Sequence, residues 1–258
     1  LERGDVQLNN ALVSVQSDSR GEIQVVGQNI KLNSSTLSAG GIAGAATLRT
    51  ESELSAERPR DIRIEAEDNI EISSGEVFSF SYNNGNSGDI NLAAGRSIVL
   101  SNETLVSATA LGSSNSGSVN IETPSLEIEN GAWLTSSTFS GGASGNDHII
   151  ADSIVLRGRG ESGRLSEVYS DVGADSTGRG GTIEIESNRL QLEDGAKIST
   201  ETAGGGRSGR VSINIRHLTV REGASISSSA LGCGRSGGVS IEAERALLSG
   251  RGEETNLP

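Results

Sequence analysis

Along most of the chain aliphatic residues alternate with polar ones at a period of two. No stretch shows the three-to-four spacing of a helix, so the pattern predicts short, half-buried strands. One run is Gly88-Asp-Ile90-Asn-Leu92 followed by Ile98-Val-Leu100. The pattern returns at Gly117-Ser-Val119-Asn-Ile121 to Leu126-Glu-Ile128, at Gly181-Thr-Ile183-Glu-Ile185 to Leu190-Gln-Leu192, and at Gly209-Arg-Val211-Ser-Ile213 to Leu218-Thr-Val220. Ile62, Ile90 and Val119 stand 28 and 29 residues apart, and Ile183, Val211 and Val239 stand 28 apart. Two units are longer, Ile23 to Ile62 at 39 and Asp147 to Ile183 at 36, as insertions in the loops of a solenoid would make them.

Each unit reads as three short strands; in the fourth they are Val119 to Ile121, Leu126 to Ile128 and Trp133 to Thr138. Between the second and third lies a turn of residues that tolerate a left-handed backbone: Asn130-Gly131-Ala132, Asp194-Gly195-Ala196 and Glu222-Gly223-Ala224. A Gly/Ser turn closes each unit, as in Gly204 to Gly209 and Gly232 to Gly237. The expected fold is all-β: one right-handed parallel β-helix of about 28-residue coils, three short strands per coil, over residues 1–258. Longer loops are expected near 39–60 and 157–182. Residues 1–20 resemble the last two strands of one coil and residues 237–258 the start of another, with no cap at either end, as in a segment of a longer exoprotein.

Aligning the units on their third strand places Val13, Leu37, Phe78, Val106, Leu134, Leu165, Ile198 and Ile226 in one inward column. The following column carries a hydroxyl in every unit, including Ser79, Ser107, Thr135, Ser166, Ser199 and Ser227, and alternation turns it outward. Such a stripe serves as a ladder of hydroxyl contacts between coils, or as a flat contact face for glycan or another filament. The binding candidates are those six residues. The strict Thr-x-Thr regularity of an ice-binding face is missing.

Composition narrows the function classes. Twenty-one Lys and Arg against 34 Asp and Glu give a net charge of −13, which argues against nucleic acid as a partner. Hydrophobic residues make up 33% and aromatics 2%, with 35 Gly and no Met, so stability has to come from repeated burial of small aliphatics. No window is apolar enough for a membrane-spanning helix. No basic-then-apolar signal opens the chain, so any export signal is expected outside it. The single Cys233 excludes an internal disulfide.

The runs Leu190 to Ile213, Leu218 to Ile241 and Leu126 to Ser144 resemble the C-terminal repeats of filamentous-haemagglutinin-like exoproteins of two-partner secretion, abundant in cyanobacteria. The resemblance is clearest from about residue 60 onward. It implies a secreted, extracellular or cell-surface protein with a structural or adhesive role. It also implies export through an outer-membrane transporter that recognises an amino-terminal domain for which residues 1–20 offer no match, with surface glycans or other filaments as partners.

The alternative is a β-helical polysaccharide lyase or glycoside hydrolase acting on acidic or cell-surface polysaccharide, which needs paired carboxylates at equivalent positions of neighbouring coils. Glu71, Glu127 and Glu184 face outward, but Lys31, Val99 and Thr219 stand at equivalent positions, and solvated charge is the simpler account. No catalytic residue is assigned, and the chain is read as a non-enzyme. His148 and His217 lie in different units, too isolated for a triad. Asp147 takes the inward slot filled by Val119 and Val211, so it is paired, protonated or on a bulge. No cofactor or defined metal site is expected; loosely held calcium would suit the acidic surface, although a calcium-binding nonapeptide is missing. Arg3-Gly4-Asp5 is read as coincidence, Trp133, Phe139, Tyr82 and Tyr169 as too few and scattered for a sugar-stacking platform, and Cys233 as an incidental exposed thiol.

Overall fold

The computed structural model describes residues 3–16, 21–40, 61–82, 86–139, 141–174 and 176–250. The strands run in chain order as β1 (Val6–Asn9), β2 (Leu12–Gln16), β3 (Ile23–Asn33), β4 (Thr36–Gly40), β5 (Ile62–Ser73) and β6 (Glu76–Ser81). Next come β7 (Ile90–Ala94), β8 (Ser97–Ser101), β9 (Leu105–Ala110), β10 (Val119–Glu129), β11 (Trp133–Thr138) and β12 (Asp147–Arg157). The last are β13 (Glu167–Val172), β14 (Ile183–Leu192), β15 (Lys197–Thr202), β16 (Val211–Arg221), β17 (Ser225–Ala230) and β18 (Val239–Ser249). None of the described residues is helical.

Every strand pairs in parallel with its equivalent one coil away, giving a β-solenoid of about 8 turns. The first sheet runs β1-β3-β5-β7-β10-β12-β14-β16-β18 and the second β17-β15-β13-β11-β9-β6-β4-β2. The first two expected strands of a unit fuse in most coils into one long bent strand. Thus β10 pairs with β7 through Val119–Glu122 and with β8 through Ser125–Ile128. Alternation turns Val119, Ile121, Leu126 and Ile128 inward, onto Ile90, Leu92, Ile98 and Leu100 of the preceding coil and Ile149, Ile154 and Leu156 of the next. Each such buried side chain contributes about 1.5–3 kcal/mol.

The inward column of the second sheet is Val13, Leu37, Val77, Val106, Leu134, Val168, Ile198 and Ile226. Val77 and Val168 therefore hold the slots expected for Phe78 and Leu165. The reason lies in the corners. The first three have one residue of positive φ, Asn10, Ser34 and Ser74, whereas four later ones have two in succession: Asn102–Glu103, Asn130–Gly131, Asp194–Gly195 and Glu222–Gly223. The shorter corner brings β6 into phase one residue earlier. In the long unit, residues 158–166 form an arch, bridged antiparallel between Arg159 and Leu165, and β13 starts only after it. The expected loop at 39–60 falls largely outside the described residues.

The Gly/Ser turn is built by close approach. A Cβ at Gly117, Gly145, Gly181, Gly209 or Gly237 would strike the backbone carbonyl of the equivalent glycine one coil back. Hydroxyls lock this turn from within. Gly88 N–H donates to Ser79 Oγ at 2.8 Å, the Ser136 hydroxyl donates to Gly145 O at 2.9 Å, Thr200 donates to Gly209 O at 2.8 Å, and Gly237 N–H donates to Ser228 Oγ at 3.1 Å. Each pair is nine residues apart. These staples satisfy backbone groups that a turn crossing the core would otherwise leave unpaired.

Candidate functional site

The six hydroxyls singled out from the sequence separate in the structure. Ser107, Thr135, Ser199 and Ser227 do share one outward column, but its other members include Phe78 and Tyr169, which replace Ser79 and Ser166. Ser79 points inward as the Gly88 staple. Ser166 lies ahead of β13, fully buried, where its hydroxyl donates to Arg157 O at 2.7 Å and accepts from Gly131 N–H at 3.1 Å. Ser107, Thr135 and Ser199 are only 7%, 4% and 5% exposed, and Ser227 is half-buried. The Ser107 and Thr135 hydroxyls bond along their own strands, to Thr109 and Ser137, at 2.6 Å. The column is thus largely covered, and it is not the exposed stripe expected.

What surrounds it is a set of aromatic rings. Phe78, Phe80, Tyr82, Trp133, Phe139 and Tyr169 are all the aromatic residues of the chain; alternation puts Phe78, Phe80, Trp133 and Tyr169 on the outer side of the second sheet, and Tyr82 and Phe139 follow directly after the ends of β6 and β11. The expectation that they are scattered is corrected: they span only the four adjacent strands β6, β9, β11 and β13. Phe78 and Phe80 stack with centroids 5.3 Å apart, and Tyr82 meets Phe80 edge-on at 5.2 Å. Glycines clear the ground for two of the rings. A Cβ at Gly40 would run into the Phe80 ring, and one at Gly173 would lie 3.0 Å from Phe139 Cδ1. Backbone bonds from Leu111 to Ser81 and from Phe139 to Ala110 align Tyr82, Leu111 and Phe139 in one column, 44%, 42% and 52% exposed.

The arch holds one edge of this face. Arg164 lies over the Trp133 ring at 3.6 Å, a cation–π contact. Its loop is tied back by Ser162 N–H, which donates to Glu103 Oε1 at 2.7 Å. The Ser162 hydroxyl first, and then this N–H, hold the Glu103 carboxyl below its usual range. Glu103 keeps a φ of 59° where Asn130–Gly131 and Asp194–Gly195 place glycine second, so a strained corner residue supplies the anchor. Burial pushes the Tyr169 phenol up. Asp171, two residues on and in register with Glu201, is pushed up to about 7, by burial first and then by Glu201. Its Oδ1 is buried and has no hydrogen-bond partner among the described residues.

Asp147 occupies the inward slot predicted for it, fully buried, in a ladder with no register shift on either side. Burial pushes its carboxyl up to about 8, against the opposing pull of Ser136 and of Val119 N–H, which donates to Oδ1 at 3.2 Å. Of the alternatives open from the sequence the bulge is excluded by the register, while the carboxyl is both hydrogen-bonded and pushed by burial toward its protonated form.

On the first sheet, the bend of the long strands makes an open groove of about 900 Å³. Its lining includes Glu122, Ile150, Glu186, Asn214 and Glu242, one column over five successive coils. The outward acids named from the sequence stand elsewhere: Glu71 pairs with Lys31 at 2.8 Å, Glu127 with Arg157 at 3.3 Å, and Glu184 lies between His148 and Ser212. Arg3 reaches Glu67 at 3.6 Å, and Asp5 Oδ1 accepts from Asn29 Nδ2 at 2.9 Å, so both charged groups of the Arg-Gly-Asp run are engaged. Cys233 is exposed, and among the described residues no group of three or more His, Cys, Asp or Glu is placed to hold a metal.

Searches of protein-family models, curated proteins and solved structures gave no match to this chain.

The aromatic face was missed from the sequence because six rings distributed over residues 78–169 look isolated until the register is known. The available signal was parity: counted from the inward valine or leucine of each third strand, all six rings fall at odd offsets.

Proposed function

We propose that this chain is a structural and adhesive stalk segment of a secreted, filamentous-haemagglutinin-like exoprotein, acting at the cell surface. The observation that carries the adhesive part is the gathering of the chain's aromatic rings on the outer side of the second sheet and just past the ends of β6 and β11, with Tyr82, Leu111 and Phe139 exposed in register. A ring lying against a flat sheet offers its face to the apolar side of a sugar, and hydroxyls and carboxylates at its rim supply the hydrogen bonds. The stalk part rests on the parallel ladders that join coil to coil in both sheets, with one register shift near Gly27 in the β3–β5 pair. Export would run through an outer-membrane partner that engages another domain, and calcium would associate loosely with the acidic flanks.

The second reading, a polysaccharide lyase or hydrolase, draws on the acidic groove. There Glu122, Glu186 and Glu242 fall on alternate coils, with Ile150 and Asn214 between them. Two coil steps separate the carboxylates by about 10 Å, just beyond the roughly 6.5–9.5 Å of an inverting pair.

The test incubates residues 1–258 with cellulose, xylan and polygalacturonate, with and without calcium, and measures both retention and released sugar. Retention without product, weakened roughly tenfold in Tyr82→Ala/Phe139→Ala, is the expected result. Release of unsaturated or reducing-end sugars, abolished in Glu186→Gln, would replace the adhesive reading with the enzymatic one.

A further inference from the structure

Arg179, Arg207 and Arg235 lie on three successive coils, joined by parallel bridges within the Gly/Ser turns. Gly180 N–H donates to Arg207 O and Ser208 N–H donates to Arg235 O, each at 2.8 Å, so the three residues are locked into register. All three are exposed. The stack places like charges at the coil repeat of about 4.8 Å, an arrangement that costs free energy in the isolated protein.

Several arginines elsewhere are neutralised singly. Arg63 reaches Glu65 at 3.0 Å, Arg96 reaches Asp68 at 2.7 Å, Arg157 reaches Glu129 at 2.8 Å, and Arg221 reaches Glu193 at 2.7 Å. Arg159, Arg189, Arg210 and Arg245 are, like Arg179, Arg207 and Arg235, without a carboxylate at salt-bridge distance among the described residues. What sets the ladder apart is its register on successive coils. In a protein of net charge −13, three unneutralised guanidiniums in a column are a local reversal of sign.

We infer that the arginine ladder Arg179–Arg207–Arg235 is a binding site for an anionic polysaccharide of the polyuronate class, laid along the rod axis. Guanidinium matches carboxylate in geometry as well as charge. A polymer with one carboxylate per sugar ring offers charges repeated on the scale of a coil, so successive rungs are filled by one chain and each contact raises the effective concentration for the next. Duplex DNA carries one charge per about 1.7 Å of its axis, out of step with rungs about 4.8 Å apart. The inference rests on the adhesive reading only in taking the partner to be a surface polymer; the ladder lies outside the aromatic face.

The test compares the intact chain with the triple variants Arg179→Gln/Arg207→Gln/Arg235→Gln and Arg179→Lys/Arg207→Lys/Arg235→Lys. Retention is measured on polygalacturonate, cellulose and a single-stranded DNA oligonucleotide over a salt series, with melting temperature as the check that the exposed turns still fold. The unchanged chain should be held by polygalacturonate at low salt and released as salt rises. The Gln variant should bind roughly tenfold or more weakly, the Lys variant should recover part of the loss, and retention on cellulose should not change between variants. Equal retention of the Gln variant on polygalacturonate, or no retention of the unchanged chain, overturns the inference. Capture of the oligonucleotide as tight as that of polygalacturonate overturns the polyuronate assignment. Polygalacturonate binding with no loss of any glycan on Tyr82→Ala/Phe139→Ala would spare the ladder and contradict the aromatic face alone.

Discussion

Two residues break the rules of the repeat, and each has a consequence that can be measured. Asp147 is a carboxylic acid in an aliphatic slot, with its pKa raised from the ordinary range to about 8. The unfolded chain gives up this proton near pH 4 and the folded chain only near pH 8. Between those values the unfolded state binds fewer protons, and stability falls as pH rises. Asp147→Asn removes the titration while keeping an acceptor for Val119 N–H. Thermal unfolding should show this variant gaining on the parent chain as pH goes from 5 to 8, by up to roughly 3–4 kcal/mol at the upper end. A constant difference across that range would show that Asp147 does not titrate as described. Glu103 sits at positive φ and places its carboxylate on Ser162. In Glu103→Gly the corner relaxes but the arch loses its anchor, so amide exchange at Ser162 should speed up roughly tenfold. The single tryptophan, Trp133, should move to redder emission as Arg164 loosens over it; unchanged exchange and emission would remove the anchoring role.

At the scale of the element, the strands themselves were legible in the sequence because alternation at period two is a direct image of burial. Val119 to Ile121, Leu126 to Ile128 and Trp133 to Thr138 lie where the pattern puts them. The phase of the third strand was legible at Val13 and Leu37, and wherever the corner had its two-residue form, but not in the third unit or the long one. At Ser74 a one-residue corner moves the inward slot to Val77, and in the long unit the arch delays it to Val168. A shift of one residue exchanges the two faces of a strand, which is how Ser79 came to be read as outward and Phe78 as inward. The interior hydroxyls were hidden for a different reason: a Ser inside a strand looks like a surface residue unless its glycine partner nine residues on is noticed. Thr200→Val deletes the bond to Gly209 O and should cost about 1–2 kcal/mol in urea unfolding, whereas Thr200→Ser should cost less. Gly209→Ala forces a Cβ into the Gly181 carbonyl and should cost more than about 3 kcal/mol or abolish folding. A Gly209→Ala protein as stable as the parent would mean that the coils are not in contact at this turn.

At the scale of the whole molecule, the rod converts a repeat in sequence into a repeat in space. Residues about 28 apart become neighbours, so a ring or an arginine that recurs once per unit becomes a column. The aromatic face and the arginine ladder are both products of that conversion, and both dissolve if the stack is out of register. The central claim is therefore the continuous parallel register. Gln7 of β1 and Thr219 of β16 share one outward column through Lys31, Glu71, Val99, Glu127, Val155 and Gln191. With Cys233→Ser as background, spin labels at Gln7→Cys and Thr219→Cys are seven coil steps apart, a separation of about 34 Å. Pulsed electron paramagnetic resonance should give one narrow distribution near that distance, and labels at Glu71→Cys and Thr219→Cys should give one about 10 Å shorter. A broad distribution, or two distances that do not differ by two coil steps, would contradict the rod and the surfaces built on it.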